Sequence, residues 1–408
     1  MIPRPCSEAS EEAKGASMPP RSNDTATRFT LLCLRARFDP DALEAARALT
    51  AGLDWDAWVD TVRVEALTPL LYRILHGRDI VPAAVEERLQ ADYFHSVRSN
   101  AFRLRELGRA LRELAAERVP VILLKGAALA ETVYGNIATR PMTDLDLLVR
   151  RGDLAPALAA LAKLGYQLVG TDTHTGAASV FENEVMLRKP GALYALIEIH
   201  WSLLNSPHYQ HLLPMAWFWE TAVPVRVEGA EALVLAPEAL LLHLCAHRAL
   251  HHRGMGLLWL HDVAEVLHFF QDRVDWDLLL AKAAECDLVL PLQKVLPQVV
   301  EGWLPPVPAG SLERLRRLEP TPEEIRVFNW LTAERRPVAQ RFWADLVSMP
   351  DWGQRLRYGM GNLFPSAAYM RQRHGIRHGF LLPLYYPWRW LIGLRGAVQL
   401  LGKREIKA

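Results

Sequence analysis

The chain has 408 residues, of which 50% are hydrophobic and 23% charged, a composition that predicts a folded protein of two or three domains. The 47 basic and 46 acidic residues leave a net charge of +1. This balance excludes the broad basic footprint of a general nucleic-acid-binding protein. No apolar run reaches the roughly 20 residues that span a bilayer, and acidic residues interrupt any apolar signal core at the N-terminus.

The cysteines show no paired spacing, which predicts reduced thiols in a cytoplasmic protein. They are Cys6, Cys33, Cys245 and Cys286.

Residues 1–26 are rich in Ser, Pro, Glu and Ala without periodicity, and we expect a disordered tail there. Apolar residues then recur at helical spacing, which predicts an N-terminal helical domain over residues 27–112. Its longest helical stretch follows Pro82. This domain is either purely structural or shapes a cleft for an acceptor substrate.

The segment from Val119 to Arg150 organises the rest of the chain. It predicts a strand over Val119–Leu124, a turn at Lys125-Gly126, a helix over Ala127–Tyr134 and a second strand over Leu145–Val149. Asp144 and Asp146 stand two residues apart at the start of that second strand. Side chains two apart on a strand share one face, so these carboxylates point the same way and predict a divalent-metal site for phosphoryl chemistry.

Five further strands are predicted before residue 236, which places the catalytic core at residues 113–235. One of them contains Ile197-Glu198-Ile199-His200-Trp201. A carboxylate between isoleucines is costly to bury unless it is paired or bound to metal, although alternation alone also allows Glu198 to face outward. His200 shares the face of Glu198, where it either contacts metal or substrate or makes a structural hydrogen bond.

The segment 236–408 is predicted to be a C-terminal helical domain. Its first helix carries His243, His247 and His251 at i, i+4 and i+8, a spacing compatible with zinc. A helical zinc motif usually has a Glu between its histidines, and none is present here, so packing behind the site is the favoured interpretation. Basic residues near Arg371 and Arg377 either contact an anionic substrate or form a solvated face.

These features together resemble the uncharacterised nucleotidyltransferase family within the DNA polymerase beta-like superfamily. The matching elements are Leu124-Lys125-Gly126, Leu129, Tyr134, Arg140 and Asp144-Leu145-Asp146-Leu147-Leu148-Val149. The resemblance implies an α+β fold, in which a nucleotidyltransferase-type mixed β-sheet core is flanked by helical N- and C-terminal domains. It also implies that Glu198 is the third metal-binding acid beside Asp144 and Asp146.

The activity implied by the resemblance is Mg²⁺- or Mn²⁺-dependent transfer of a nucleoside monophosphate from an NTP, with ATP as the default. The acceptor would be a hydroxyl-bearing small molecule, peptide or protein in a bacterial cell. The nucleotide-binding candidates are Lys125, Gly126, Ala127 and Arg140, although Ala127 stands where the superfamily turn has Ser or Gly. Two alternatives remain: a catalytically idle nucleotide- or partner-binding protein on the same fold, and a metal-dependent hydrolase that uses the histidine helix.

Overall fold

The computed structural model describes residues 25–169, 183–191, 195–333, 346, 352–367, 370–371, 376 and 378–391. The predicted disordered tail lies outside the described residues except for its last two positions, which already belong to a helix. Arg377 also lies outside them.

The chain divides into two compact units. The first comprises Met1–Gln167, Met186–Trp201 and Pro214–Thr332, and the second comprises Leu168–Val185, Ser202–Leu213 and Ala333–Ala408. The predicted domain boundaries at residues 27, 113 and 236 follow the sequence pattern rather than these units and stay predictions.

The N-terminal part of the first unit is helical. Its helices are α1 (Thr25–Arg35), α2 (Ala42–Arg47), α3 (Trp55–Val64), α4 (Thr68–Leu75) and α5 (Ala83–Ala116). Local chemistry explains where α3 starts, because the Asp54 carboxylate accepts the Ala57 N–H at 3.0 Å and caps the helix. The apolar stripe of α5 is buried, as its spacing predicts; it consists of Leu104, Leu107, Leu111 and Leu114.

A seven-stranded mixed sheet follows, in the order β3-β4-β5-β2-β1-β7-β6. The strands are β1 (Ile122–Leu123), β2 (Leu145–Leu148), β3 (Gln167–Leu168), β4 (Glu184–Lys189), β5 (Ala195–His200), β6 (Val223–Val227) and β7 (Ala230–Val234). β2 runs parallel to β5 and antiparallel to β1, and β1 runs parallel to β7. The predicted α+β fold is therefore confirmed.

The first strand is shorter than the sequence suggests. β1 covers two residues instead of six, and the helix after it, α6 (Lys125–Thr132), begins two residues earlier than predicted. The Leu124 N–H still donates to the Asp146 carbonyl at 3.0 Å. Lys125 then adopts a φ of +46°, which ends the extended chain at once and opens the helix.

Further helices complete the first unit. They are α7 (Leu154–Lys163), α9 (Met215–Glu220), α10 (Pro237–Ala246), α11 (Leu257–Phe270), α12 (Trp276–Glu285), α13 (Val289–Trp303), α14 (Ser311–Arg317) and α15 (Pro322–Thr332); α8 (Pro207–Leu212) belongs to the second unit. After α10 the chain continues through a π-helical turn, His247–His251. α10 is almost entirely buried and most residues of α11 are buried, which agrees with the apolar composition of both helices.

The second unit also contains α16 (Trp352–Leu363). The carbonyls at and after its C-terminal end take side-chain hydrogen bonds: Trp390 Nε1 donates to Leu363 O and Tyr386 Oη to Pro365 O, each at 2.8 Å. In the described part of the chain, no helix has the length and apolar character needed to cross a membrane.

Candidate metal centre

Two acids and a histidine meet on one face of the sheet. In the parallel pairing of β2 with β5, Asp146 lies directly opposite Glu198, and His200 follows two residues later on the same face. One ligand atom from each of these three side chains lies within 4.8 Å of the other two. His200 Nε2 lies 2.9 Å from Asp146 Oδ1 and 3.6 Å from Glu198 Oε2. The cluster could hold one divalent cation.

The sequence explains how the polar groups come to be buried there. The residues that alternate with them, Leu145, Leu147, Ile197 and Ile199, are fully buried on the other face. This apolar alternation fixes which face of each strand carries the acids. Asp146 and His200 are buried, whereas Glu198 is half-buried and so keeps access to solvent.

Lys125 supplies a positive charge to the same cluster. Its Nζ lies 2.6 Å from Asp146 Oδ1 and is mostly shielded from solvent. Burial alone would raise the pKa of Asp146, but the Lys125 ammonium and the hydrogen bond from His200 hold this pKa far below its ordinary value. Asp146 is therefore a firmly ionised carboxylate.

Asp144, unlike Asp146, lies outside both β2 and the cluster. It precedes β2, is half-buried, and is not part of the three-residue cluster. Burial and the negative charge of Asp146 raise its pKa, and the Lys125 and Arg140 cations oppose the rise. The structure thus brings Asp146 and Glu198 together with His200 and places Asp144 within electrostatic reach of Asp146.

Arg140 is held by a carboxylate of α11. Its Nε and Nη2 donate to the two oxygens of Asp262 at 2.7 and 2.8 Å, and its Nη1 donates to the Pro141 carbonyl at 2.7 Å. Tyr134 Oη donates to Asp262 as well, at 2.7 Å. Both ion-pair partners are buried. These contacts are those of a loop brace, the role that competes with nucleotide binding for this arginine.

Gly126 and Ala127 lie buried at the start of α6. A Cβ at Gly126 would come within 2.9 Å of Met142 Cγ, so the lack of a side chain here allows the loop before β2 to pack closely on the helix. At this position the glycine serves close approach rather than a positive φ.

The loop before β2 is also tied to α5. Asn100 Nδ2 donates to the carbonyls of Ile137 and Arg140, and its Oδ1 accepts the Met142 N–H. Ser96 Oγ donates to the Ala138 carbonyl at 2.7 Å. One helix therefore fixes the path of the loop that leads into Asp144.

The histidine row lies beside this centre. Both ring nitrogens of His243 are buried and have no hydrogen-bond partner among the described residues. Burial, together with the nearby charges of Lys125 and His200, lowers the pKa of His243 to about 3, so this ring is neutral. His247 stacks on His251 at 4.8 Å. Within the described chain the row does not form a three-residue metal cluster.

Two important residues were not among the predicted site residues. His200 was placed on the face of Glu198, and this shared face was the available signal for its place in the cluster. The signal for Asp262 is its match to an Asp that follows the histidine-rich helix in the family resemblance, and its contact with Arg140 joins residues 122 positions apart.

Comparisons with known proteins show which family the chain is similar to. No curated protein matches it significantly. Among solved structures, an antigenic nucleotidyltransferase-like protein from Paracoccidioides brasiliensis matches with a TM-score of 0.34 and 15% identity, over 53% of this chain and 98% of that chain. The profile of the family described as "Uncharacterised nucleotidyltransferase" matches residues 51–301, more than half of the chain. The chain therefore belongs to this nucleotidyltransferase family.

Proposed function

We propose that the protein is a metal-dependent nucleotidyltransferase that moves a nucleoside monophosphate from an NTP, with ATP as the default, to a hydroxyl-bearing small molecule, peptide or protein. The observation that carries the proposal is the convergence of Asp146, Glu198 and His200 within 4.8 Å, in a chain of this family. Three buried cysteines without disulfides, Cys33, Cys245 and Cys286, support a cytoplasmic setting, and the resemblance to the family suggests a bacterial one.

The donor set suits the proposed cation. Carboxylate oxygens are the ligands preferred by Mg²⁺ and Mn²⁺, and the imidazole nitrogen of His200 adds a preference for Mn²⁺ over Mg²⁺. Asp146 and Glu198 would hold the ion, with His200 beside them and Asp144 as the outer acid. When bound, such an ion offsets the charge of a triphosphate and lowers the pKa of a hydroxyl.

The other residues around the site would have separate roles in binding the substrates and in positioning the acids. Lys125 already stands at the acids and would offset negative charge on the phosphates once it leaves Asp146. Glu198 is the more exposed acid of the cluster, which suits contact with the acceptor. Arg140 keeps the loop before Asp144 in place through Asp262. Gly126 and Ala127 present the start of α6 without bulky side chains.

Two observations favour the alternative, in which the same fold is catalytically idle. The Lys125 ammonium pairs with Asp146, the acid that a metal ion needs, and Ala127 offers no hydroxyl to a phosphate. A protein that binds nucleotides or partners without catalysis could keep this ion pair permanently.

Incubation of the purified protein with each α-labelled NTP, Mg²⁺ or Mn²⁺, and cell lysate tests the proposal. We expect label on a defined acceptor. Glu198→Gln should lower the transfer rate about 100-fold or more while changing nucleotide affinity much less. The matched control is Glu231→Gln on β7, an exposed acid whose loss should leave transfer unchanged. Nucleotide binding without transfer under every metal condition would favour the idle fold.

A further inference from the structure

A cavity lies in the helical part of the first unit. It has a volume of about 480 Å³ and is bounded by α1, by the chain between the π-helical turn and α11, and by the end of α13. That volume lies within the roughly 300–1,000 Å³ of typical small-molecule pockets. No residue of the metal centre lines it.

Arg248 is one of the residues that line this cavity, and its guanidinium is buried. Arg248 is only 4% exposed, and its Nε and Nη1 are buried without a hydrogen-bond partner among the described residues. The buried guanidinium of Arg140, in contrast, is fully engaged by Asp262 and Pro141. A buried cation whose donors are unused is costly, so an unsatisfied guanidinium at a cavity wall points to a ligand.

Two acids in the surroundings of Arg248 form no hydrogen bond with its guanidinium. Glu65 acts on it electrostatically, but the Glu65 carboxylate accepts the Leu257 N–H at 2.8 Å. Glu301 also lines the cavity and is exposed, without a hydrogen bond to Arg248. Burial lowers the pKa of Arg248 only to about 10, so the guanidinium stays charged at neutral pH.

The other residues that line the cavity indicate which chemical groups the rest of a ligand would have. Leu31, Leu257 and Leu260 offer apolar surface, and a second cation, Arg28, stands exposed at the cavity. Arg35 is already paired with Asp39 at 3.2 Å. The cavity therefore combines one unsatisfied buried guanidinium with apolar walls, which matches an anionic group on an apolar body.

We propose that this cavity binds a small organic oxyanion, a carboxylate or a phosphate, whose charged group pairs with Arg248 and whose apolar part packs against the leucine walls. The site goes beyond the proposed transfer reaction and does not depend on it.

Calorimetric titration of the full chain with inorganic phosphate and with hexanoate, at constant ionic strength and in EDTA, tests the site. EDTA removes divalent cations, so binding at the metal centre does not contribute. We expect at least one probe to bind, and the stronger one identifies the charged group. Arg248→Met should lower the affinity for the stronger-binding probe roughly tenfold or more, since a charge-assisted pair is lost. Arg73→Met, at an exposed arginine of α4, is the matched control.

A second variant tests the cavity with the arginine intact. Gly302 lines the cavity inside α13, and a Cβ placed there meets nothing within 4 Å. Gly302→Leu should fill the space, favour the helix and abolish binding. Absence of binding to both probes in the wild-type chain would overturn the proposal, as would unchanged affinity in either Arg248→Met or Gly302→Leu.

Discussion

Lys125 Nζ lies 2.6 Å from Asp146 Oδ1, the same oxygen that His200 Nε2 approaches at 2.9 Å. A metal ion that binds Asp146 must therefore compete with an ammonium group of the chain itself. Triphosphate oxygens would offer that ammonium an alternative partner, so metal and nucleotide should help each other to bind.

Replacing Lys125 by Met tests this competition. Without nucleotide, Mn²⁺ affinity should rise roughly tenfold, because the competing positive charge is gone. Nucleotide affinity in the presence of Mn²⁺ should fall. Mn²⁺ titration followed by electron paramagnetic resonance measures the first effect and calorimetry the second. Lys163→Met, at an exposed ion pair with Glu117, is the control, and unchanged Mn²⁺ affinity in Lys125→Met would refute the competition.

The two motif acids should differ in their effect on stability without metal. The Asp146 pKa is lowered in the fold, so its ionised form stabilises the protein above the unfolded-state pKa, and this contribution is lost as the pH falls. Asp146→Asn should cost about 1–3 kcal/mol in the free energy of unfolding at neutral pH.

The Asp144 pKa is raised, so its charge opposes folding, and Asp144→Asn should leave the free energy of unfolding unchanged or raise it. Urea unfolding in EDTA at pH 7 compares the two variants. Equal losses of stability would contradict the difference in charge environment described here.

The Arg140–Asp262 pair should contribute strongly to stability. Arg140→Lys removes the two-pronged contact and leaves the buried Asp262 poorly paired, so we expect a loss of about 3–5 kcal/mol. Arg37→Lys is the matched control, because Arg37 pairs with Glu265 on the same helix but is 41% exposed. Its loss should be below about 1 kcal/mol. A stable Arg140→Lys variant with weakened nucleotide binding would instead place Arg140 in the nucleotide site.

Glu324 should make stability depend on pH. Its Oε1 accepts the Leu290 N–H, and its Oε2 is buried without a partner among the described residues. Burial and the nearby Asp287 raise the pKa of Glu324 from 4.5 to about 7. The fold therefore favours the protonated acid, and this stability is present below pH 4.5 and lost as the pH rises through 7.

Glu324→Gln should remove that dependence, since the amide stays neutral. Urea unfolding at several pH values from 4.5 to 7 should show a flatter profile for the variant than for the wild type. Glu323→Gln, at the neighbouring and more exposed acid, should keep the wild-type profile. Identical profiles for the wild type and Glu324→Gln would show that Glu324 is not the titrating group.

Local alternation was enough to predict part of the site. The period of two placed Glu198 with His200, and the isoleucines around Glu198 indicated a buried strand. The same period placed Asp144 with Asp146, but Asp144 precedes β2 and lies outside the three-residue cluster. The apolar runs predicted individual strands, and the resemblance to the family implied that they form a mixed sheet.

The remaining features depend on contacts that local patterns do not encode. The parallel register that sets Asp146 opposite Glu198 joins residues 52 positions apart, and Lys125, which pairs with Asp146, adopts a positive φ. Propensity would not assign that conformation to lysine. The partner of Arg140 lies on a helix from a different part of the chain.

The hydrogen bonds from α5 to the loop before β2 bear on where the predicted catalytic core begins. At 34 residues this helix is about 50 Å long, and the predicted boundary at residue 113 falls in its last turns. A fragment of residues 113–235 would keep both acidic strands but lose Asn100 and Ser96, which hold the loop in front of Asp144. It would also lose Asp262, the anchor of Arg140. The smallest piece of this chain with an ordered site therefore extends well beyond the sheet, from α5 through α11.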